Sequence, residues 1–94
     1  MIELEQLKQL IAFAKYGTLS KAAEELYISQ PALSRSIQKL EKTLGVELFD
    51  RKKNKMELNE NGKTVIQYAK KILNLVDEME EKVNKNNQIQ NNFS

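Results

Sequence analysis

The chain has 94 residues, with 15 Lys and Arg against 13 Asp and Glu, and contains neither cysteine nor histidine. A domain of this size buries only about 60–65% of its unfolded surface, which leaves no interior for a deep substrate cavity. The composition also removes disulfides, thiolate metal sites, thiol nucleophiles and the commonest general base, and no two carboxylates are spaced to converge. The sequence therefore argues against an enzyme, and no cofactor or metal is expected.

Glu3 and Glu5 and the absence of a long apolar run argue against a signal peptide, and no stretch is long enough to span a bilayer. A cytoplasmic chain with no membrane partner is expected. The net charge of +2 is small, but it is unevenly placed. Residues 30–55 hold Arg35, Lys39, Lys42, Arg51, Lys52, Lys53 and Lys55 against Glu41, Glu47 and Asp50, a local excess of +4. The segments on either side are each at −1. A localised basic stripe is the footprint of phosphate binding, although charge alone fits a solvated surface equally well.

The first predicted element is a helix from about Ile2 to Tyr16, with Leu4, Leu7, Leu10, Ile11, Phe13 and Ala14 at helical spacing and Gly17 in C-cap position. Thr18 or Ser20 can cap a short second helix. Its apolar face, Ala22, Ala23 and Leu26, is small enough for another helix to cross closely. Tyr27 and Ile28 form a turn. Ser29 caps a third helix that carries Pro31 in its first turn, buries Leu33, Ile37, Leu40 and Leu44, and stops at Gly45. Leu48-Phe49 and Met56–Leu58 then flank a basic tip at residues 51–55 that includes Asn54, a pattern suited to a small β-hairpin.

Asn59 caps the last helix. A heptad stripe of Val65, Ala69, Ile72, Val76, Met79 and Val83 runs along it, widened by Ile66 and Leu73. Beyond Leu73 the stripe outruns anything the first three helices can cover. Residues 86–94, rich in Asn and Gln, read as a polar, disordered tail. The expected fold is thus mainly α: a winged helix-turn-helix of three core helices and a hairpin wing over residues 1–59, then a long linker or dimerisation helix over 60–85.

On the third helix, Gln30, Ser34 and Gln38 follow one another at i, i+4 steps on the face opposite the apolar set, with Arg35 beside them and Lys39 and Lys42 farther along. Gln can pair bidentately with adenine, Arg with guanine, and Ser with several base edges. Neutral polar side chains near a helix N-terminus with cations flanking them suit a helix end in the major groove. Any surface helix has a wet face, so this face alone decides little. The conjunction decides it: an Ala-Ala helix, a tight turn, a Ser-Gln-Pro helix start and a basic hairpin occur in winged-helix order.

The run from Leu19 to Glu41, the continuation Leu44-Gly45-Val46-Glu47-Leu48-Phe49-Asp50-Arg51 and the segment Leu58-Asn59-Glu60-Asn61-Gly62 resemble the DNA-binding domain of LysR-type transcriptional regulators over about residues 3 to 83. The resemblance implies that Gln30, Pro31, Ser34 and Arg35 lie at the major groove, with Gln38 next along the same face. It also implies that Arg51 starts a wing whose tip, with Lys52, Lys53 and Lys55, approaches the neighbouring minor groove or backbone. Ser20, the Tyr27 hydroxyl and Lys39 are further candidates for backbone contact. Where the family usually has Thr at the start of the last helix, this chain has Asn59.

The family's linker helix makes a dimer, so the stripe from Val65 to Val83 implies a homodimer on double-stranded DNA with an interrupted palindrome. An effector-binding domain follows the linker in the family and is absent here, so the chain reads either as a natural stand-alone form or, the favoured expectation, as a DNA-binding fragment truncated at its C-terminal side. The alternative is a protein-interaction module that docks through the 65–83 stripe, with the helix-turn-helix as plain scaffold. Tyr16 and Tyr68 are expected at the edge of the core. Gly62 allows either close packing or the approach of a phosphate.

Overall fold

The computed structural model describes residues 1–52 and 55–92, with the side chains of residues 51, 52, 55 and 88–92 outside the description. Its elements in chain order are α1 (Leu4–Tyr16), α2 (Leu19–Leu26), α3 (Gln30–Leu44), β1 (Phe49–Lys52), β2 (Lys55–Leu58) and α4 (Glu60–Asn92). The strands pair antiparallel with Phe49 opposite Leu58 and Lys52 opposite Lys55. The two residues that join them, Lys53 and Asn54, lie outside the described residues.

Local chemistry sets most of the boundaries. Glu3 starts α1, its N–H donating to Gln6 Oε1 at 3.0 Å. Gly17 ends it in the left-handed region at φ 83°, where a side chain would be strained. Thr18 accepts from the Lys21 amide and Ser29 from the Ala32 amide, capping α2 and α3. Gly45 closes α3, again with positive φ. At the head of α4, Asn59 Oδ1 accepts from the Gly62 amide at 2.9 Å while its Nδ2 donates to the Glu47 carbonyl at 2.9 Å. One amide side chain thus caps the helix and ties it to the segment before β1.

The core lies where α1, α2 and α3 meet the base of the hairpin. Leu10, Ala22, Leu33, Leu40 and Leu48 are fully buried, and Ala23, Phe13, Ile37 and Phe49 nearly so. Leu44, expected inside, is only half-buried at the end of α3. Ala22 and Ala23 are the small contact surface through which α2 packs on both α1 and α3. Phe13 and Phe49 meet edge to face, centroids 4.7 Å apart, which clamps the hairpin base to α1.

Gly62 is buried, and a Cβ on it would run into the Leu48 carbonyl and lie 2.6 Å from Leu58 Cδ2. Of the two roles open to this glycine, close packing of α4 on the hairpin base is the one observed.

Three further features depart from the sequence reading. The last helix does not stop near residue 85 but continues to Asn92 through part of the expected disordered tail. Residues 84–92 contain no Gly or Pro to end it, and each added residue needs only one further helical bond. Tyr68, expected at the core edge, is 57% exposed. Ala69, placed on the pairing stripe by its heptad position, is fully buried within the protomer, whose α4 packs on α1 and β2.

The body is 25 by 20 Å across but 62 Å long. Its radius of gyration is 16.7 Å, against roughly 12–13 Å for a compact domain of this length. At about 1.5 Å per residue, the 33 residues of α4 span about 50 Å, twice the width of the body they leave.

Candidate nucleic-acid interface

The interface is built on α3. With Leu33, Ile37 and Leu40 turned into the core, the 3.6-residue repeat forces Gln30, Pro31, Arg35, Gln38 and Lys39 outward, and all five are exposed. Ser34 is half-buried between the two faces. Among the described residues the ion pairs are Lys21–Glu25, Lys63–Glu60 and Lys82–Glu78. None of them touches Arg35, Lys39 or Lys42, so the cations along α3 stay available for an external anion.

Two contacts that the sequence did not reveal fix this helix in the head. The Ser36 hydroxyl donates to Oε1 of Gln9, a buried glutamine on α1. A buried polar pair costs little when satisfied and much when broken, so it favours one rotation of α3 against α1. Farther along, the Leu48 amide donates to Glu41 Oε2 at 2.8 Å, which ties the segment leading into β1 to the α3 flank. Neither is legible in the sequence, because helical periodicity gives a residue's face and not the partner it meets on another segment, 27 positions away for Ser36 and 7 for Glu41.

The turn between α2 and α3 places Tyr27 in the left-handed region at φ 58°, the one non-glycine there among the described residues. Its ring is 94% exposed beside the start of α3. Ser20 is exposed in the first turn of α2. For the wing, the strands place Arg51 opposite Met56 and Lys52 opposite Lys55. The side chains of Arg51, Lys52 and Lys55, and all of Lys53, lie outside the described residues.

The candidate pairing stripe divides. Val65 is half-buried with Ile66 against the core, Ala69 is enclosed, and Leu73 and Val76 are half-buried. Ile72, Met79 and Val83 are exposed, joined by Tyr68 and Leu75. The free apolar row is therefore Tyr68, Ile72, Leu75, Met79 and Val83, rotated slightly from the expected one and sharing three of its members.

Three core helices with a two-stranded hairpin, the third helix presenting an unneutralised polar face, define a winged helix-turn-helix domain. Residues 4–63 match the bacterial regulatory helix-turn-helix proteins of the lysR family, and the chain belongs to that family. It is 49% identical over 75 residues to a "Probable RuBisCO transcriptional regulator" of Guillardia theta, covering 80% of this chain and 24% of that protein. It is 44% identical over 73 residues to an SDS degradation transcriptional activation protein of a Pseudomonas species, covering 78% and 24%. The chain thus spans about a quarter of the length of these relatives.

Among solved structures, the CbnR DNA-binding domain in complex with DNA superposes with a TM-score of 0.85 at 36% identity, covering 89% of this chain and 97% of that one. The BenM DNA-binding domain on the catB site 1 DNA superposes at 0.83 with 37% identity, covering 89% and 93%. No helix of the described residues is long and apolar enough to cross a membrane.

Proposed function

We propose that this chain is the DNA-binding part of a cytoplasmic LysR-family transcriptional regulator that reads double-stranded DNA as a homodimer. Residues 1–59 form the reading head, and the helix beginning at residue 60 joins two heads. The observation that carries this reading is the outer face of α3, where Gln30, Pro31, Arg35 and Gln38 are exposed, Ser34 stands at their edge, and no carboxylate neutralises Arg35. In the major groove, Arg35 reads guanine and the two glutamines read adenine. Pro31 and Ser34 set the close approach. Ser20, Tyr27, Lys39 and the wing residues Arg51, Lys52, Lys53 and Lys55 hold phosphates on either side, which fixes register without reading sequence.

Pairing uses the exposed row of Tyr68, Ile72, Leu75, Met79 and Val83 rather than the enclosed Ala69. Two heads joined in this way recognise an interrupted palindrome, since a two-fold protein axis demands two-fold DNA. Effector binding belongs to a further domain of the regulator.

The test compares two substitutions on one helix by fluorescence anisotropy, using a duplex recovered by selection and a scrambled duplex of equal length. Arg35→Ala lowers affinity for the selected duplex by about 1–3 kcal/mol while scarcely changing the scrambled one. Lys39→Ala lowers both alike and reduces the salt slope by about one unit. Equal effects of the two substitutions on both duplexes would remove Arg35 from base reading.

A further inference from the structure

An open cleft of about 710 Å³ lies between the start of α3 and the wing, and of its lining residues only Ser20 and Gln30 carry a DNA contact in the reading above. Its walls come from five elements, with Phe13 and Ala14 supplied by α1. Thr18 and Ser20 bracket the start of α2, Gln30 opens α3, Met56 and Glu57 belong to β2, and Lys63 stands in the first turn of α4. The reading proposed above supplies the occupant, and the inference rests on it. Adjacent major and minor grooves of a duplex are separated by one sugar-phosphate strand. A protein with α3 in one groove and the wing in the next must straddle that strand, and this cleft is the space between the two elements.

The geometry points to the cleft as the seat of a phosphodiester of the straddled strand, with Lys63 as its counter-charge and the Ser20 hydroxyl as a second donor. Lys63 is available for this role. Its ammonium lies 3.4 Å from Glu60 Oε1, but the two side chains are 64% and 92% exposed, and an exposed pair of this kind holds its partners weakly. Among the described residues it is also the one lysine or arginine lining the cleft. Glu57 lines the cleft as well and opposes an anion there, so the seat is poised rather than maximally attractive. A fourth helix that otherwise serves packing and pairing thereby touches DNA at its first turn. The heptad pattern and the basic stripe of residues 30–55 both pass over Lys63, which lies outside either.

The test uses the full chain with the selected and scrambled duplexes. Lys63→Gln is expected to weaken binding to both duplexes by a similar factor, about three- to tenfold, and to lower the slope of log K against log salt by about 0.9. Lys63→Arg keeps the wild-type slope, and Lys82→Gln, on the distal half of α4, leaves both quantities unchanged. Glu57→Gln tightens both duplexes. A walk of single methylphosphonate linkages along the selected duplex then locates the contact. At one linkage between the two grooves, neutralising the phosphate and neutralising Lys63 together cost no more than either alone.

An unchanged salt slope in Lys63→Gln, or full additivity with every methylphosphonate linkage, overturns the seat. If Arg35→Ala still abolishes discrimination in that case, the reading of α3 stands and only the cleft assignment fails. If the wild-type chain shows no discrimination, the parent reading has failed instead.

Discussion

The head and the distal half of α4 carry similar apolar side chains and dispose of them in opposite ways. In the head, Leu10, Leu33, Leu40 and Leu48 are fully enclosed. On α4, Leu75 is 64% exposed and Met79 and Val83 nearly as much so, in a helix that has already left the body. The difference teaches that the heptad repeat reports two unlike environments along one helix. Its first turns, at Val65, Ile66 and Ala69, complete the core of their own protomer. Its later turns lie against nothing in the protomer among the described residues, and the row of five large apolar residues they expose is the face that the proposed pairing would cover.

Three substitutions sharpen that contrast, beginning with the largest expected loss of protomer stability. Leu33→Ala in the middle of α3 empties a fully buried site and should cost about 2–5 kcal/mol in denaturant melts. Gly62→Ala forces a methyl onto the Leu48 carbonyl and the Leu58 side chain and should cost about 1–3 kcal/mol by the same measurement. Leu75→Ala, on the exposed row, should change the unfolding of the dilute protomer by less than about 0.5 kcal/mol. It should nevertheless weaken self-association in sedimentation equilibrium by about 1.5 kcal/mol or more, at least tenfold in Kd. A large loss of protomer stability from Leu75→Ala would place that residue in the core and erase the contrast.

The head was largely legible in the sequence because its boundaries are set by neighbours along the chain. Gly17 and Gly45 end helices by their backbone freedom, and Thr18, Ser29 and Asn59 begin them with a side chain reaching an amide three residues on. The polar face of α3 follows from the same periodicity that buries Leu33 and Leu40. What escaped is tertiary. No pattern pairs Gln9 with Ser36 or Glu41 with the Leu48 amide, although both fix where α3 points.

The expected stripe of residues 65–83 runs along a single helix, but its members divide between covered and exposed faces. Two overlapping i, i+3/i+4 rows share Ile72, Met79 and Val83, and only the packing of α4 on α1 decides which row is covered. Ala69 fell on the covered one and Tyr68 on the other. The end of α4 was misplaced because composition describes how little a segment can bury, and that does not by itself stop a helix that is already propagating.

We propose that α3 reads sequence and that α4 brings two such readers together. Selecting ligands from a random duplex pool with the purified 94-residue chain tests this most directly. The expected product is an interrupted palindrome whose half-sites lie about one helical turn or a multiple of it apart, each half-site changing when Arg35 is replaced. Recovery of a single asymmetric site that is indifferent to Arg35, or of no preferred sequence at all, would contradict it.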